Sequence, residues 1–136
     1  MRQTVYLAGG MRSDWQMNVK RSVHAANRDV QFFDPMAREQ DLTFSEYSVW
    51  DLHKVKQSDI VFAYMEQDNI SGYGMSVEIG YAKGLGKTVI LCRESNRDSS
   101  KDRYLRFMDS CADIVFNDID KAVNYLNILL DYKESK

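Results

Sequence analysis

Several things are scarce in this chain, and each scarcity excludes something. Proline occurs once, at Pro35, and no repeat, low-complexity tract or linker divides the sequence. There are two cysteines and no CxxC pair, which excludes a disulfide framework. No His/Cys/Asp spacing suggests a zinc site, so no metal is expected. No charge of one sign dominates: 18 basic against 20 acidic residues leave a net charge of −2. That argues against nucleic-acid binding by bulk electrostatics, while leaving room for a local basic pocket. No apolar run approaches the roughly 18 residues of a membrane span, so no membrane partner is expected. The opening segment, MRQTVYLAGG, has one Arg and a short apolar run, too little for a signal peptide. The expectation is a reduced, cytoplasmic protein.

What remains is ordinary globular material. The 136 residues are 44% hydrophobic and 28% charged, the size of one domain spanning 1–136 and rich enough in apolar groups to offset chain ordering. Short apolar runs at 4–8, 30–33, 60–65, 88–92 and 113–116 have the length of buried strands. Helical periods lie between them. Ser13-x-x-Gln16 reads as a capping box, followed by Trp15, Val19, Val23 and Ala26 at helical spacing. Ser100 is placed to cap a short helix carrying Tyr104, Leu105 and Met108, and Asn117 a last helix with Ile119, Ala122, Val123, Leu126, Leu129 and Leu130. Five strands alternating with five helices predict a parallel sheet covered on both faces. Right-handed crossovers then give a flavodoxin-like, doubly wound α/β domain with order 2-1-3-4-5, whose ligands bind beyond the strand C-termini.

Two carboxylates break the helical pattern. Met75, Ile79, Ala82 and Leu85 form one stripe, and Glu78 falls inside it. A carboxylate on a core-facing stripe is costly unless it is paired or functional. Asp51 likewise points into the arc of Phe44, Tyr47, Leu52 and Val55; Ser48-x-x-Asp51 also reads as a helix start, with Asp51 in the first turn. Glu78 can equally be a structural Glu, and Asp51 a capping Asp. As a pair they can supply a nucleophile and an acid for glycosyl transfer.

Two glycine clusters flank these positions. Gly9-Gly10-Met11-Arg12-Ser13 joins the first strand to the first helix, where backbone and helix N-terminus favour an anion and Arg12 can grip a phosphate. It is neither GxGxxG nor a Walker A loop, and an ordinary tight turn is the alternative. Ser71-Gly72-Tyr73-Gly74 sets flexible backbone beside Glu78, with Tyr73 available to cover a planar ligand. His24 and His53 fall away from the apolar stripes and read as surface residues; Cys92 and Cys111 read as packing residues.

These residues also carry a family resemblance. Val5-Tyr6-Leu7-Ala8-Gly9-Gly10-Met11 resembles the opening strand and loop of the nucleoside 2-deoxyribosyltransferase family, and Ser58-Asp59-Ile60-Val61-Phe62-Ala63-Tyr64 its third strand. The strongest match is Gly72-Tyr73-Gly74-Met75-Ser76-Val77-Glu78-Ile79-Gly80-Tyr81-Ala82, followed by Gly86-Lys87-Thr88-Val89-Ile90. The resemblance covers roughly 4–92. It implies the same fold and cleavage of the N-glycosidic bond of a 2′-deoxynucleoside, with the sugar passed to another base or to water. The family includes N-glycosidases of nucleoside 5′-monophosphates. By resemblance Glu78 is the nucleophile and Asp51 binds or protonates the base, while Gly9, Gly10, Met11, Arg12 and Ser13 hold the 5′ end. Tyr6, Gly72, Tyr73, Gly74 and Met75 then line the pocket. No cofactor is implied; the partners are a small nucleoside or nucleotide and, as homo-oligomer, further copies of the chain.

Two departures stand out. Transferases of the family carry a sugar-binding Asp six residues before the nucleophile, where this chain has Gly72; Asp68 or Asn69 are the candidates to replace it. The family's C-terminal base-binding segment is not recognisable in 129–136. A module of the same fold that binds a nucleotide signal without turnover is the alternative function. A flavin electron carrier is a weaker third, since loop 9–13 offers only Ser13 as a hydroxyl donor.

Overall fold

In the computed structural model the described residues are 2–10, 13–26, 28–37, 41–67, 72–94 and 99–134, with 99, 101, 133 and 134 described by backbone alone. The strands are β1 (Gln3–Gly9), β2 (Val30–Phe33), β3 (Ile60–Met65), β4 (Thr88–Arg93) and β5 (Ile114–Phe116). The α-helices are α1 (Trp15–Ala25), α2 (Phe44–Gln57), α3 (Tyr73–Gly84), α4 (Ser99–Asp109) and α5 (Ile119–Glu134), with a 3-10 turn at Pro35–Ala37. All neighbouring strands are parallel, in the order β2-β1-β3-β4-β5. This is the doubly wound arrangement expected from the sequence.

The continuous apolar runs follow from burial on both faces. Val5, Leu7, Ile60, Phe62, Tyr64, Ile90 and Cys92 point toward α1 and α5, joining Trp15, Val19, Val23, Ala122, Leu126 and Leu130 in one core. The alternate residues, Tyr6, Ala8, Val61, Ala63, Met65, Val89 and Leu91, meet Val55 of α2, Met75, Ile79 and Ala82 of α3, and Met108 of α4 in the other. The central strand β3 is buried throughout.

Helix boundaries correct several expectations. Ser13-x-x-Gln16 is not a capping box: α1 follows Asp14 without a side-chain cap, and the Ser13 hydroxyl instead donates to Glu66 Oε1 at 3.0 Å. Helix α2 begins four residues before Ser48, after Thr43, whose hydroxyl and Glu46 form a reciprocal capping box. Asp51 is therefore in mid-helix. The α5 cap is Asp118 rather than Asn117, its carboxylate accepting from the Asp120 and Lys121 amides. Ala26 and Leu85 lie just past their helices and are exposed, so neither extends its apolar stripe. Both histidines are exposed; Cys92 is buried and Cys111 is half-buried against the second core.

Arg93, at the end of β4, ties the sheet to α4. Its Nε and Nη2 hold both Asp109 carboxylate oxygens, at 2.8 and 2.7 Å, and Nη1 reaches Asp102 at 2.5 Å. This guanidinium holds the Asp102 carboxyl below the usual carboxylate range.

Candidate active site

The site grows out of β1. Alternation along this strand turns Tyr6 toward α2 and α3, where its ring is completely buried. Glu78 lies in the second turn of α3, between buried Met75 and Ile79 and next to exposed Val77. The helix thus carries Glu78 along the boundary between core and surface, half-buried. The Tyr6 hydroxyl donates to Glu78 Oε2. The pairing fixes one carboxylate oxygen with a buried donor.

Asp51 belongs to the same side of the sheet. It is half-buried in α2, one turn before the fully buried Val55, and α2 packs against both β1 and α3. Tyr6, Asp51 and Glu78 thus reach one face from three elements that pack on one another.

The first glycine loop is held by α1. Trp15 Nε1 and Gln16 Nε2 both donate to the Gly10 carbonyl, at 2.9 and 3.0 Å. Gly9 has φ +151°, and a Cβ there would lie 2.3 Å from the Tyr64 carbonyl oxygen. Glycine at 9 is what lets the end of β1 run against β3 before the chain turns. Met11 and Arg12, and with them the expected phosphate grip, lie outside the described residues, as do Asp68, Asn69 and Ser71.

The second glycine segment leads into α3. Gly72 precedes the helix with ordinary φ, and an ideal Cβ there would sit 2.6 Å from the terminal methyl of Met65. The space next to residue 72 is thus occupied by an apolar side chain in this protein. Tyr73 is 82% exposed and Gly74 is open, whereas Met75 is buried in the core.

Above the strand ends the side chains are acidic and already bonded. Glu66 accepts from Ser13, and Glu94 Oε1 from the Gln67 amide at 2.9 Å. Burial, with Glu94 next, pushes the Tyr64 phenol well above its ordinary value. Among the described residues no group of three or more His, Cys, Asp or Glu could hold a metal. Also among them, no helix is long and apolar enough to cross a membrane. Sequence reading missed Glu66 and Arg93, whose partners Ser13 and Asp109 lie 53 and 16 positions away, and gave Gln16 a capping role where it instead holds the Gly10 carbonyl.

Residues 2–96 match the family model described as nucleoside 2-deoxyribosyltransferase like. The chain belongs to that family. The match takes in Tyr6, the first glycine loop, Asp51 and Glu78, the candidate residues. None of the curated sequences compared with the chain matches it. Among solved structures, the Clostridium botulinum CMP N-glycosidase BcmB is similar, with a TM-score of 0.62 and 16% identity over 93% of this chain and 99% of that one. At that identity the likeness speaks for the fold alone, which extends over nearly the whole of both chains.

Proposed function

We propose that this protein cleaves the N-glycosidic bond of a 2′-deoxynucleoside or its 5′-monophosphate through a covalent glycosyl intermediate on Glu78. The observation that carries this reading is the Tyr6–Glu78 hydrogen bond, within the segment that matches the family. The phenol holds the Glu78 carboxylate at one oxygen and orients it, and the attack comes from a carboxylate oxygen of Glu78. Attack of that oxygen on C1′ forms the ester bond as the C1′–N bond breaks through an oxocarbenium-like transition state. The base leaves with the bonding pair, and Asp51 protonates or hydrogen-bonds it. Water, or the nitrogen of a second base, then takes the sugar from Glu78 and regenerates the carboxylate.

The 5′ end is assigned to the loop of Gly9, Gly10, Met11, Arg12 and Ser13. The CMP N-glycosidase activity named for the similar structure supports a monophosphate in that place, as does the choice of Arg at 12. Tyr73 and Gly74, at the exposed start of α3, are assigned to the pocket wall with Tyr6, Gly72 and Met75. Homo-oligomerisation belongs to the same reading: Tyr73, Val77 and Tyr81 make an exposed stripe on α3, beside exposed Tyr104 and Phe107 on α4. A cytoplasmic location completes it.

The experiment is a substrate panel. The protein is incubated with the deoxynucleosides, the ribonucleosides and their 5′-monophosphates, with and without a free acceptor base, and the bases are separated by chromatography. Base release or exchange is expected from at least one member. A folded protein that binds a nucleotide but releases no base from any of them would favour the non-catalytic signal-binding module.

A further inference from the structure

The face of the sheet opposite Tyr6 and Glu78 carries a groove of its own. It runs between α1 and α5 over Tyr64 and encloses about 460 Å³, within the range of small-molecule sites. Its walls are Trp15 and Val19 on one side and Val123 on the other. Tyr64 and Trp15 belong to the core on the α1/α5 face, and Tyr6 to the core on the other, so the sheet separates this groove from the Tyr6–Glu78 pair.

One end of the groove is built shut. Arg28 Nη1 donates to Asn127 Oδ1 at 2.9 Å, and Asn127 Nδ2 donates to the Ser22 hydroxyl at 3.2 Å. Arg28 is itself clamped by Asp131 through two hydrogen bonds of 2.7 and 2.6 Å. The polar groups of that end are thus engaged with one another. The middle differs. Asn18 on α1 and Asn124 on α5 both line the groove, and neither side chain bonds to any described residue. Each offers a carbonyl acceptor and two N–H donors. From the Asp14/Asp120 end to the Ser22/Asn127 end is about seven or eight helical residues, roughly 10–12 Å, room for a one- or two-ring molecule.

The lining also selects by charge. Among the described residues it includes no Lys, Arg or His, and Asp14 and Asp120 stand at the end nearer the helix N-termini, which disfavours an anion. Those two carboxylates stand where the α1 and α5 N-termini carry partial positive charge, which offsets their pull on a cation. A neutral ligand fits best: flat enough to lie between apolar walls, with donors and acceptors for two amides.

We propose that the α1/α5 groove is a second small-molecule site, on the opposite face of the sheet from the Tyr6–Glu78 pair and meeting the first loop only at Ser13, that takes an uncharged amide-bearing heterocycle such as a free nucleobase. Asn18 and Asn124 hydrogen-bond its edge, and Val19 and Val123 flank its ring. The site does not depend on glycosidic chemistry at Glu78.

The test is an NMR titration of the full chain with uracil and with cytosine, reading the side-chain amides of Asn18 and Asn124. Saturable shifts are expected at these two residues, with Kd on the order of 1 mM for so small a ligand. Asn18→Trp and Asn124→Trp, both at exposed helix positions, fill the groove without entering the core and should abolish the shifts. Circular dichroism verifies their fold. The milder double variant Asn18→Ala/Asn124→Ala should weaken binding about tenfold or more. Absence of saturable shifts at ten times the expected Kd would overturn the proposal. So would shifts confined to α3, or shifts unchanged in a folded groove-filling variant. Inorganic phosphate and putrescine serve as charged comparators, and equal binding of either would overturn the neutral class.

Discussion

Tyr6 and Glu78 are 72 positions apart in the chain and meet through one hydrogen bond from the phenol to the carboxylate. β1 brings the phenol up from a fully buried position, and α3 brings the carboxylate to the edge of the same core. The donor is rigid because its ring is packed, so it can orient a nucleophile without itself meeting solvent.

Tyr6→Phe should therefore keep the fold and lower the chemistry. The ring still fills its place, and the half-buried Glu78 retains access to water, so stability should change by no more than about 1 kcal/mol. Losing one hydrogen bond to a charged group costs about 1.5–3 kcal/mol, or roughly ten- to a hundredfold in kcat. KM should stay nearly constant. A fall in KM-dependent binding with kcat unchanged would place Tyr6 in substrate binding instead. Steady-state kinetics with the best substrate of the panel separates the two.

Asp51→Asn tests departure of the base. The amide keeps the size and removes the titratable proton, so turnover should fall roughly 10²–10⁴-fold. The loss should shrink for a substrate whose leaving group needs no protonation. An equal loss for that activated substrate would make Asp51 a binding or structural residue. Comparison of kcat for the natural and activated substrates reads the difference.

Gly9→Ala should damage the site through the backbone. Positive φ and a Cβ 2.3 Å from the Tyr64 carbonyl force the end of β1 away from β3. Strain of this kind costs of order 1–3 kcal/mol, visible as a lower Tm and a lower midpoint in urea. Gly86→Ala offers a contrast: its φ is +74°, yet no atom lies within 4 Å of the added Cβ. Gly9→Ala should be the worse of the two, and the same order should hold for activity.

Much of this architecture is legible in the sequence because burial on both sheet faces leaves unbroken apolar runs, as at β3 from Ile60 to Met65. The carboxylates at 51 and 78 stand out in the sequence against apolar patterns, of which the one around Glu78 is buried at Met75, Ile79 and Ala82 and the one around Asp51 only at Val55, with Phe44 exposed. The partners of such carboxylates do not stand out. The Ser13 hydroxyl finds Glu66 rather than its own helix, and the hydroxyl of Tyr6 finds Glu78 only once β1 and α3 are packed. Helix starts are similarly local choices between adjacent candidates: Thr43 with Glu46 caps α2 where Ser48 was a plausible start, and Asp118 displaces its neighbour Asn117. Such pairings are settled by three-dimensional proximity, which spacing does not encode.

Cys92 supplies a pH prediction. Burial, with smaller contributions from Glu94 and Asp118, pushes its thiol from 9.0 up to about 12. The folded state thus holds this proton more tightly than the unfolded chain. The resulting stability is complete below pH 9 or so and is lost progressively as pH rises toward about 12. Urea titrations across this window should show the decline, and Cys92→Ala should flatten it. At neutral pH the native protein should react with a thiol reagent first at the half-buried Cys111, Cys92 following only on unfolding. Equal labelling of both thiols in the native protein would contradict this.

The central claim is that Glu78 is the nucleophile, and the rate of base release by Glu78→Ala tests it most directly. The account predicts a loss of at least about 10³-fold in kcat relative to wild type, with circular dichroism and Tm close to those of the parent, because the nucleophile of the glycosyl ester is then gone. A folded Glu78→Ala protein that releases base at the wild-type rate would contradict it.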